Sequence, residues 1–329
     1  MRKVKWGILS TAKIGRTKVI PAMQNNDFIE IVAISSQEIQ KAKSVADNFK
    51  IRKAYGSYEE LLLDPEIEAV YNPLPNHLHV PYTIKAMEAS KHVLCEKPIS
   101  LNVKEAEYLL ATTIKYPQLK VMEAFMYRFH PQWLKVKELV DNGKIGELRT
   151  VNSFFSYSNL DPNNIRNKNE IGGGGLMDIG CYCISFPRYL FASEPERVIG
   201  SLDIDPTMKT DRLTSGLMEF KNGSSTFTCS TQLSPFQRTN VFGTKGRIEV
   251  EIPVNAPSDK ETKIFVETDG LLEEIVFEKC DQYTLEVLEF SKAIVENTEV
   301  PIPLEDALGN MKVLEAIVRS AKSGTWESC

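Results

Sequence analysis

The chain has 329 residues, of which 42% are hydrophobic and 25% charged, a composition typical of soluble globular proteins and unlike disordered or fibrous ones. At this length we expect two domains, each with its own hydrophobic core. A net charge of -5 offers no electropositive surface for a phosphate backbone, which argues against nucleic acid as a partner and favours a small molecule.

Membrane insertion, secretion and metal binding are not indicated by the sequence. No run approaches the roughly 18 apolar residues of a membrane span, and the apolar part of MRKVKWGILS is too short for a signal peptide. The six cysteines include a CxC pair, Cys181 and Cys183, but no CxxC, which predicts free thiols in a reducing cytoplasm. The four histidines form no cluster at ligand spacing, so we expect no metal.

The first third of the chain alternates short runs rich in Val and Ile with segments of helical periodicity. This alternation predicts a doubly wound parallel sheet with crossover helices, a Rossmann domain over residues 1–123 in an α/β protein. The predicted strands are KVKWGIL, FIEIVAIS, IEAVYN, KHVLC and LKVME. The predicted helices between them are EIQKAKSVADNF, HVPYTIKAMEAS and VKEAEYLLATTIKY.

Residues 124–329 read as an α+β domain that binds substrate and forms oligomers. A helix is predicted at about 132–141, then a glycine-rich loop, a second helix and strands to about 277. TSGLMEF and SSTFTCSTQL predict an antiparallel hairpin, with Asn222-Gly223 supplying the positive φ of a tight turn. Two final helices, at about 283–297 and 304–322, could pack back on the Rossmann domain.

The first strand leads directly into a turn and helix at GILSTAKIG. A dinucleotide fold places the pyrophosphate against helix amides at this point, and Ser10-x-Ala12-x-x-Gly15 stands where GxGxxG is usual. A plain joint between a strand and a helix would look similar. The phosphate-binding candidates are Ser10, Thr11, Ala12, Lys13 and Ile14.

The end of the second predicted strand indicates which nicotinamide nucleotide is bound. NAD-binding proteins usually place an acidic residue there to accept from the ribose 2′-hydroxyl. Here the chain has Ser35, Ser36 and Gln37. Because hydroxyl groups do not repel a 2′-phosphate, NADP(H) is preferred as cofactor, and NAD(H) remains compatible.

Four further motifs occur in order along the chain: YNPLPNHLH, HVLCEKP, EAFMYRFHPQ and GGGGLMDIGCY. Through them the sequence resembles the glucose-fructose oxidoreductase / inositol dehydrogenase / MocA (Gfo/Idh/MocA) family, in the branch of xylose dehydrogenase and dimeric dihydrodiol dehydrogenase. The resemblance implies a Rossmann domain and a second domain with an open, predominantly antiparallel sheet. It also implies reversible hydride transfer between a nicotinamide and a sugar, polyol or related alcohol such as a trans-dihydrodiol.

The resemblance assigns residues to that chemistry. Glu96 and Lys97 match the EKP motif, whose lysine lies beside the nicotinamide and substrate, and Asp178 matches the aspartate of D-x-G-x-H. Tyr182 replaces the histidine, as in the branch just named. We expect Lys97 to position substrate and to lower the pKa of Tyr182, so that the two share the proton transfer.

Two catalytic candidates have simpler alternatives. Lys97 could be a solvated loop lysine, and Tyr182 a packed aromatic. Asp178 and Tyr182, four residues apart, share one face if LMDIGCYCIS is helical, and Asp178 would then orient substrate hydroxyls and Lys97. Pro187 is predicted to break or kink that helix.

The remaining candidates lie in two segments. Pro73, Leu74, Asn76 and His79 are predicted to line the cofactor, although Asn76 or His79 could instead cap the following helix.

Tyr127 and Arg128 are predicted to bind substrate near the domain junction. Arg128 could instead form an interdomain ion pair. His130 lies in the same segment, and His92, at the start of a strand, is interpreted as structural.

Three functions fit these residues. An NADP-dependent dehydrogenase or reductase is favoured; the alternatives are an oxidoreductase that cycles two substrates on tightly bound nucleotide and a non-catalytic NADP-binding sensor. An open sheet would expose apolar side chains, so we also expect a homodimer or a higher homo-oligomer.

Overall fold

The computed structural model describes residues 2–329, which divide into two compact units. The first unit comprises the described residues up to 126 together with residues 282–308, and the second comprises residues 127–281 and 309–329. The α/β fold class predicted from the sequence is confirmed, with a parallel sheet in the first unit and a mostly antiparallel one in the second.

The first unit is built on a six-stranded parallel sheet. Its strands are β1 (Val4–Ile8), β2 (Ile29–Ser35), β3 (Lys53–Tyr55), β4 (Ala69–Asn72), β5 (His92–Glu96) and β6 (Val121–Ala124). Their order in the sheet is β3-β2-β1-β4-β5-β6, so the order reverses between β1 and β4. In a doubly wound sheet a ligand binds at that reversal, beyond the carboxyl ends of the strands.

Five helices connect these strands. They are α1 (Ile20–Gln24), preceded by a π-helical turn over Gly15–Val19, then α2 (Ile39–Phe49), α3 (Tyr58–Leu62), α4 (His79–Glu88) and α5 (Val103–Thr113). β4 is buried at all four positions because helices cover both faces of the sheet. β3 and α3 were not predicted: β3 has three half-buried residues at the sheet edge, too few for an apolar pattern.

The second unit is built on a nine-stranded sheet and two helices. In chain order these are α6 (Pro131–Asp141), β7 (Leu148–Ser158), a π-helical turn (Leu176–Gly180), α7 (Cys181–Phe191), β8 (Arg197–Ile204), β9 (Asp211–Phe220), β10 (Gly223–Ser230), β11 (Gln232–Gly243), β12 (Gly246–Val250), β13 (Thr262–Thr268), β14 (Leu271–Phe277) and β15 (Glu327–Ser328). The sheet order is β14-β13-β12-β11-β7-β10-β9-β8-β15, and only the β7–β10 pairing is parallel.

Two helices close the chain. α8 (Gln282–Glu296) belongs to the first unit and packs against β1 and β5, with the Phe290 ring 5.7 Å from the Trp6 ring. α9 (Leu304–Ser323) begins in the first unit, and its residues from Gly309 onward belong to the second. Among residues 2–329 we find no helix long and apolar enough to cross a membrane.

The predicted hairpin exists, but the reason given for its turn is wrong. β9 and β10 pair antiparallel with Phe220 opposite Gly223, so Lys221 and Asn222 form the loop. Neither Asn222 nor Gly223 has a positive φ. Gly223 is required by close approach instead, since a Cβ there would lie 2.3 Å from the Arg149 carbonyl oxygen on the parallel neighbour β7.

Pro187 does not break its helix, so the first of the two predicted effects, a break or a kink, is wrong. α7 runs without interruption through Pro187 to Phe191. Proline removes one helical hydrogen bond, and packing around it holds the second half of α7 in place. The Phe186 ring stacks on Trp133 at 4.4 Å, and the buried Arg188 forms a bidentate ion pair with Glu194.

Candidate active site

The turn after β1 has the backbone geometry that dinucleotide folds assign to glycine. Ser10 has φ 84°, and its Oγ accepts a hydrogen bond from the Ala12 amide at 3.2 Å. This bond offsets part of the cost of a left-handed conformation in a residue with a side chain. The chain then enters a helix at Lys13, whose first amides lack intrahelical acceptors and are suited to phosphate oxygens.

The end of β2 presents polar side chains of unequal accessibility. Ser35 is buried, and its hydroxyl donates to the Ile8 carbonyl at 3.3 Å. Ser36 is 8% exposed, and its Oγ accepts from the Glu38 amide, while Gln37 is exposed. The exposed Glu38 carboxylate, which the sequence analysis did not consider, pairs with Lys41 at 2.6 Å.

Lys97 follows directly after β5, in a segment that we call the EKP loop (residues 96–99). Its backbone is held at two points: the Pro98 carbonyl contacts His79 Nδ1 at 2.7 Å, and the Ile99 amide donates to Glu123 Oε1 at 2.6 Å. Lys97 itself is half-buried. The loop is therefore fixed by buried side chains from α4 and β6, and Glu123 is a supporting residue that the sequence analysis missed.

His79 is a structural support of this loop. It is 1% exposed, and its Nε2 contacts the Leu74 carbonyl at 2.7 Å, so the ring links the loop after β4 to Pro98. Burial lowers the pKa of His79 to about 4, although both carbonyl oxygens favour its protonated form. Pro73 and Leu74 are buried beside it, and Asn76 is half-buried in a 3₁₀ turn.

Glu96 lies in a cluster of acidic and phenolic groups within the first unit. Tyr71 donates its hydroxyl hydrogen to Glu96 Oε1 at 2.5 Å. Burial raises the pKa of Tyr71 well above its ordinary value, so the phenol keeps its proton. Burial, with the Glu96 carboxylate, also raises the pKa of Glu286 on α8. The Glu96 carboxylate thus accepts a hydrogen bond from Tyr71, and Glu286 of α8 contributes a second carboxyl group near it.

In the second unit, Asp178 lies on the π-helical turn, and two side chains bond to its carboxylate. Asp178 Oδ2 accepts the Tyr157 hydroxyl at 2.5 Å and Arg166 Nε at 3.0 Å. Burial raises the pKa of Tyr157, and Asp178 adds to that shift, so Tyr157 acts as a hydrogen-bond donor. Neither Tyr157 nor Arg166 was predicted, because each lies in a segment without a recognisable motif.

Tyr182 lies one turn further along the same helical segment, at the start of α7. It is 5% exposed, and its ring packs 6.1 Å from the Tyr127 ring and 6.2 Å from the Phe155 ring. Asp178 and Tyr182 therefore share one helical segment, as predicted, although Leu176–Gly180 is a π-turn rather than α-helix.

Tyr127 and Arg128 form a polar cluster inside the second unit. Tyr127 is fully buried, and its hydroxyl lies 2.8 Å from Ser185 Oγ. Arg128 donates to both of these oxygens at 3.2 Å, and its guanidinium lies 4.8 Å from the Tyr189 ring centroid. Substrate binding by Tyr127 and Arg128 stays a prediction.

The other two histidines of the sequence analysis have backbone partners. His130 Nδ1 accepts from the Gln132 amide at the start of α6, and His92 Nδ1 accepts from the Lys120 amide. Residues 2–329 contain no group of three or more His, Cys, Asp or Glu side chains arranged to hold a metal ion.

The candidate residues thus form two groups. The structure brings Ser10, Glu96, Lys97 and His79 into the first unit, at or after the carboxyl ends of its parallel strands, and Asp178, Tyr182, Tyr127 and Arg128 into the second. The chemistry of the first group suits a dinucleotide, since free helix amides follow β1 and no carboxylate replaces Ser35 or Ser36 at the end of β2.

Comparison with known proteins agrees with this geometry. The model of an oxidoreductase family with an NAD-binding Rossmann fold matches residues 4–125, and that of the GFO/IDH/MocA C-terminal domain matches residues 133–249. An uncharacterized oxidoreductase of Rhizobium meliloti is 44% identical over 100% of both chains. A D-xylose 1-dehydrogenase (NADP(+)) of Haloferax volcanii is 37% identical over 97% of this chain and 98% of its own.

A solved structure is similar throughout. A 3-ketoreductase from Actinomadura kijaniata, in complex with NADP and TDP-benzene, superimposes with a TM-score of 0.90 at 27% identity, over 97% of this chain and 98% of that one. These matches confirm the resemblance inferred from the four motifs, including the branch of xylose dehydrogenase. The chain belongs to the Gfo/Idh/MocA family of oxidoreductases, with an NAD-binding Rossmann fold.

Proposed function

We propose that this oxidoreductase transfers a hydride between NADP(H) and a CH–OH or C=O group of a sugar, polyol or trans-dihydrodiol. The observation that supports this most strongly is the EKP loop, in which the buried side chains of His79 and Glu123 hold the backbone at the two residues after Lys97. The NADP(+)-dependent xylose dehydrogenase and the NADP-bound ketoreductase support the same reaction class. NAD(H) remains compatible with the site.

We assign residues 1–123 to dinucleotide binding and residues 124–329 to substrate binding and oligomerisation. NADP(H) supplies or accepts the hydride when bound. The turn at Ser10, Thr11 and Ala12 and the amides of Lys13 and Ile14 would hold the phosphates. Ser36 and Gln37 would lie near the adenosine ribose, and Pro73, Leu74 and Asn76 would line the nicotinamide side. His79, predicted to line the cofactor as well, is too deeply buried to do so directly and would support this segment through the Leu74 carbonyl.

Three side chains are assigned to the proton and the substrate hydroxyls. Oxidation of an alcohol releases a proton from oxygen, and we assign its transfer jointly to Tyr182 and Lys97, whose ammonium would stabilise the phenolate. Asp178 would orient substrate hydroxyls from its place on the π-helical turn, where Tyr157 and Arg166 bond to its carboxylate.

We also propose that the protein is a homodimer or higher homo-oligomer in the cytoplasm. Leu233 and Phe236 on β11 are 42% and 49% exposed, which supports burial of the nine-stranded sheet against another copy. Six free cysteines support a reducing compartment. Light scattering on the purified protein would report the mass, and a monomer at micromolar concentration would contradict the oligomer.

The reaction is tested with purified protein, NADP+ or NAD+, and a panel of aldoses, ketoses, inositols and dihydrodiols. Turnover of at least one substrate is expected, with Lys97→Met as the baseline. Lys115→Met is the matched control, because Lys115 is an exposed lysine at the end of the α5 region. Activity of the wild type no higher than that of Lys97→Met, with every substrate, would contradict the proposal.

Two alternatives would give other results in the same experiment. A sensor would bind NADPH with no turnover. An enzyme that cycles two substrates on one nucleotide would release NADP(H) when the freshly purified protein is denatured, and would turn over a donor and an acceptor without added cofactor.

A further inference from the structure

The glycine loop (residues 172–175), just before the helical segment of Asp178, has little room for side chains. Gly174 has φ +126°, and a Cβ on it would lie 2.1 Å from Asp211 Oδ1. A Cβ on Gly175 would lie 3.3 Å from Asp211 Oδ2. Gly174 and Gly175 therefore leave room for one specific group, the carboxylate of Asp211, from the start of β9.

That carboxylate is buried and bonded to the start of the helical segment. Asp211 is 8% exposed, and its Oδ2 accepts the Leu176 amide at 2.7 Å and the Thr214 hydroxyl at 2.7 Å. The Gly175 amide is a further donor. Amides in the first turn of a helical segment lack intrahelical acceptors, and a negative charge is favoured there.

We propose that Asp211 is a positioning residue for the active site, because its carboxylate fixes the start of the helical segment that presents Asp178 and Tyr182. Asp178 follows Leu176 by two residues and Tyr182 by six, so a shift at Leu176 moves both side chains. This inference rests on the proposed function, which assigns the chemistry to Asp178 and Tyr182.

The surroundings of Asp211 make this positioning sensitive to pH. The ionisable groups that face it are Tyr157 on β7 and Cys229 on β10, and burial keeps both protonated. Burial raises the pKa of Asp211 to about 6, against the hydrogen bonds from Thr214 and Leu176. The carboxylate is ionised at neutral pH and takes up a proton in mildly acidic solution, which weakens its bonds to the helix start.

The main test compares Asp211→Asn with a matched control, Asp205→Asn. Asp205 is in the same unit, is also 8% exposed, and accepts two backbone amides, from Thr207 and Met208. It closes the turn after β8, where no proposed site residue lies. Asp211→Asn should lower kcat by about 100-fold, as expected for a misplaced catalytic group, and leave the Kd for NADPH unchanged, whereas Asp205→Asn should keep kcat within about twofold.

The pH profile adds a signature that a merely structural role would not give. Wild-type kcat should fall as the pH drops through about 6, and this limb should be absent from Asp211→Asn. If Asp211→Asn has the kcat and the pH profile of Asp205→Asn, the inference is wrong.

Two further measurements keep the inference testable if Asp211→Asn does not fold. Thr214→Val removes one donor to Asp211 Oδ2 and should lower kcat by roughly 5- to 10-fold without changing the Kd for NADPH. Unchanged kcat would contradict the inference. Hydrogen exchange at the Leu176 amide should speed up in Thr214→Val, and unchanged exchange would contradict it independently of activity. A wild type without any turnover would instead count against the proposed function.

Discussion

The EKP loop contains the proposed reacting group Lys97, and the glycine loop precedes the helical segment of Asp178 and Tyr182, but the two loops are held differently. The EKP loop extends a buried parallel strand, and neutral or hydrogen-bonded side chains fix its backbone at Pro98 and Ile99. The glycine loop has no strand before it, and a buried carboxylate, Asp211, holds the helix start that follows. Both loops therefore need partners from elsewhere in the chain, but the EKP loop also continues a strand of the buried parallel sheet, whereas the helix start after the glycine loop depends on Asp211.

The largest effect is expected for Lys97 and Tyr182, the two residues to which we assign the proton transfer. Lys97→Met and Tyr182→Phe should each lower kcat by about 10³-fold, and the double variant should lose little more, because the two residues would act as a unit. Steady-state kinetics at saturating NADP+ would measure this cycle. Additive losses would show that Lys97 and Tyr182 act independently.

The pH-rate profile of Tyr182→Phe separates the two roles further. If Tyr182 is the base, the profile of the variant should lose the limb that reports its ionisation. A profile identical in shape to that of the wild type would remove tyrosine as the base and leave Lys97 with the proton transfer.

A second prediction contrasts the buried ionisable groups that support the two loops. The pKa of His79 is about 4 in the folded protein, below its ordinary 6.5, so its contribution to stability is full above pH 6.5 and is lost as the pH falls towards 4. The pKa of Asp211 is about 6, above its ordinary 3.8, because burial penalises the ionised form more than its hydrogen bonds to the helix start favour it; the stability linked to its protonation is full below pH 3.8 and is lost as the pH rises through 6. Each change amounts to about 3 kcal/mol.

Urea unfolding between pH 4 and 7 would measure these contributions as differences between wild type and variant. The free energy of unfolding of the wild type, minus that of His79→Gln, should rise with pH. The corresponding difference for Asp211→Asn should fall as the pH rises. Taking differences cancels the titration of other groups, including His92 and His130. Two slopes of the same sign would contradict the contrast between the loops.

The smallest effect is expected at Gly15, which begins the π-helical turn that follows β1. A Cβ on Gly15 would lie 3.8 Å from the Tyr71 ring, an ordinary contact, and Gly15 has no positive φ. Gly15→Ala should therefore raise the free energy of unfolding by about 0.5–1 kcal/mol, because alanine restricts the unfolded chain more than glycine does. Destabilisation of the apoprotein would show that the surroundings of Gly15 leave as little room for a Cβ as those of Gly174.

Cofactor affinity of the same variant addresses a different property of Gly15. If glycine is needed there for close approach of phosphate to the backbone, Gly15→Ala should weaken NADPH binding while the apoprotein becomes more stable. Fluorescence titration with NADPH would measure the Kd, and tighter binding would contradict a phosphate site at this turn.

The sequence by itself determined the α/β class, five of the six parallel strands and the family. Buried parallel strands appear in a sequence as continuous apolar runs. Lys97, Asp178 and Tyr182 each lie within a motif that can be recognised from the sequence. Prediction from the sequence failed at β3, whose three residues are too few to form an apolar pattern. It also failed at Pro187, where packing of Phe186 and Arg188 keeps the helix continuous.

Only the tertiary structure decided what supports these residues. Asp211 lies 35 residues beyond Leu176, Tyr157 lies 21 before Asp178, and Glu123 lies 24 beyond Ile99. No local pattern marks such pairs, because a buried carboxylate or phenol is determined by which strands the sheet makes adjacent. The glycine loop illustrates both contributions. Its composition predicted a glycine-rich loop, and only the tertiary structure showed that the loop packs against the Asp211 carboxylate.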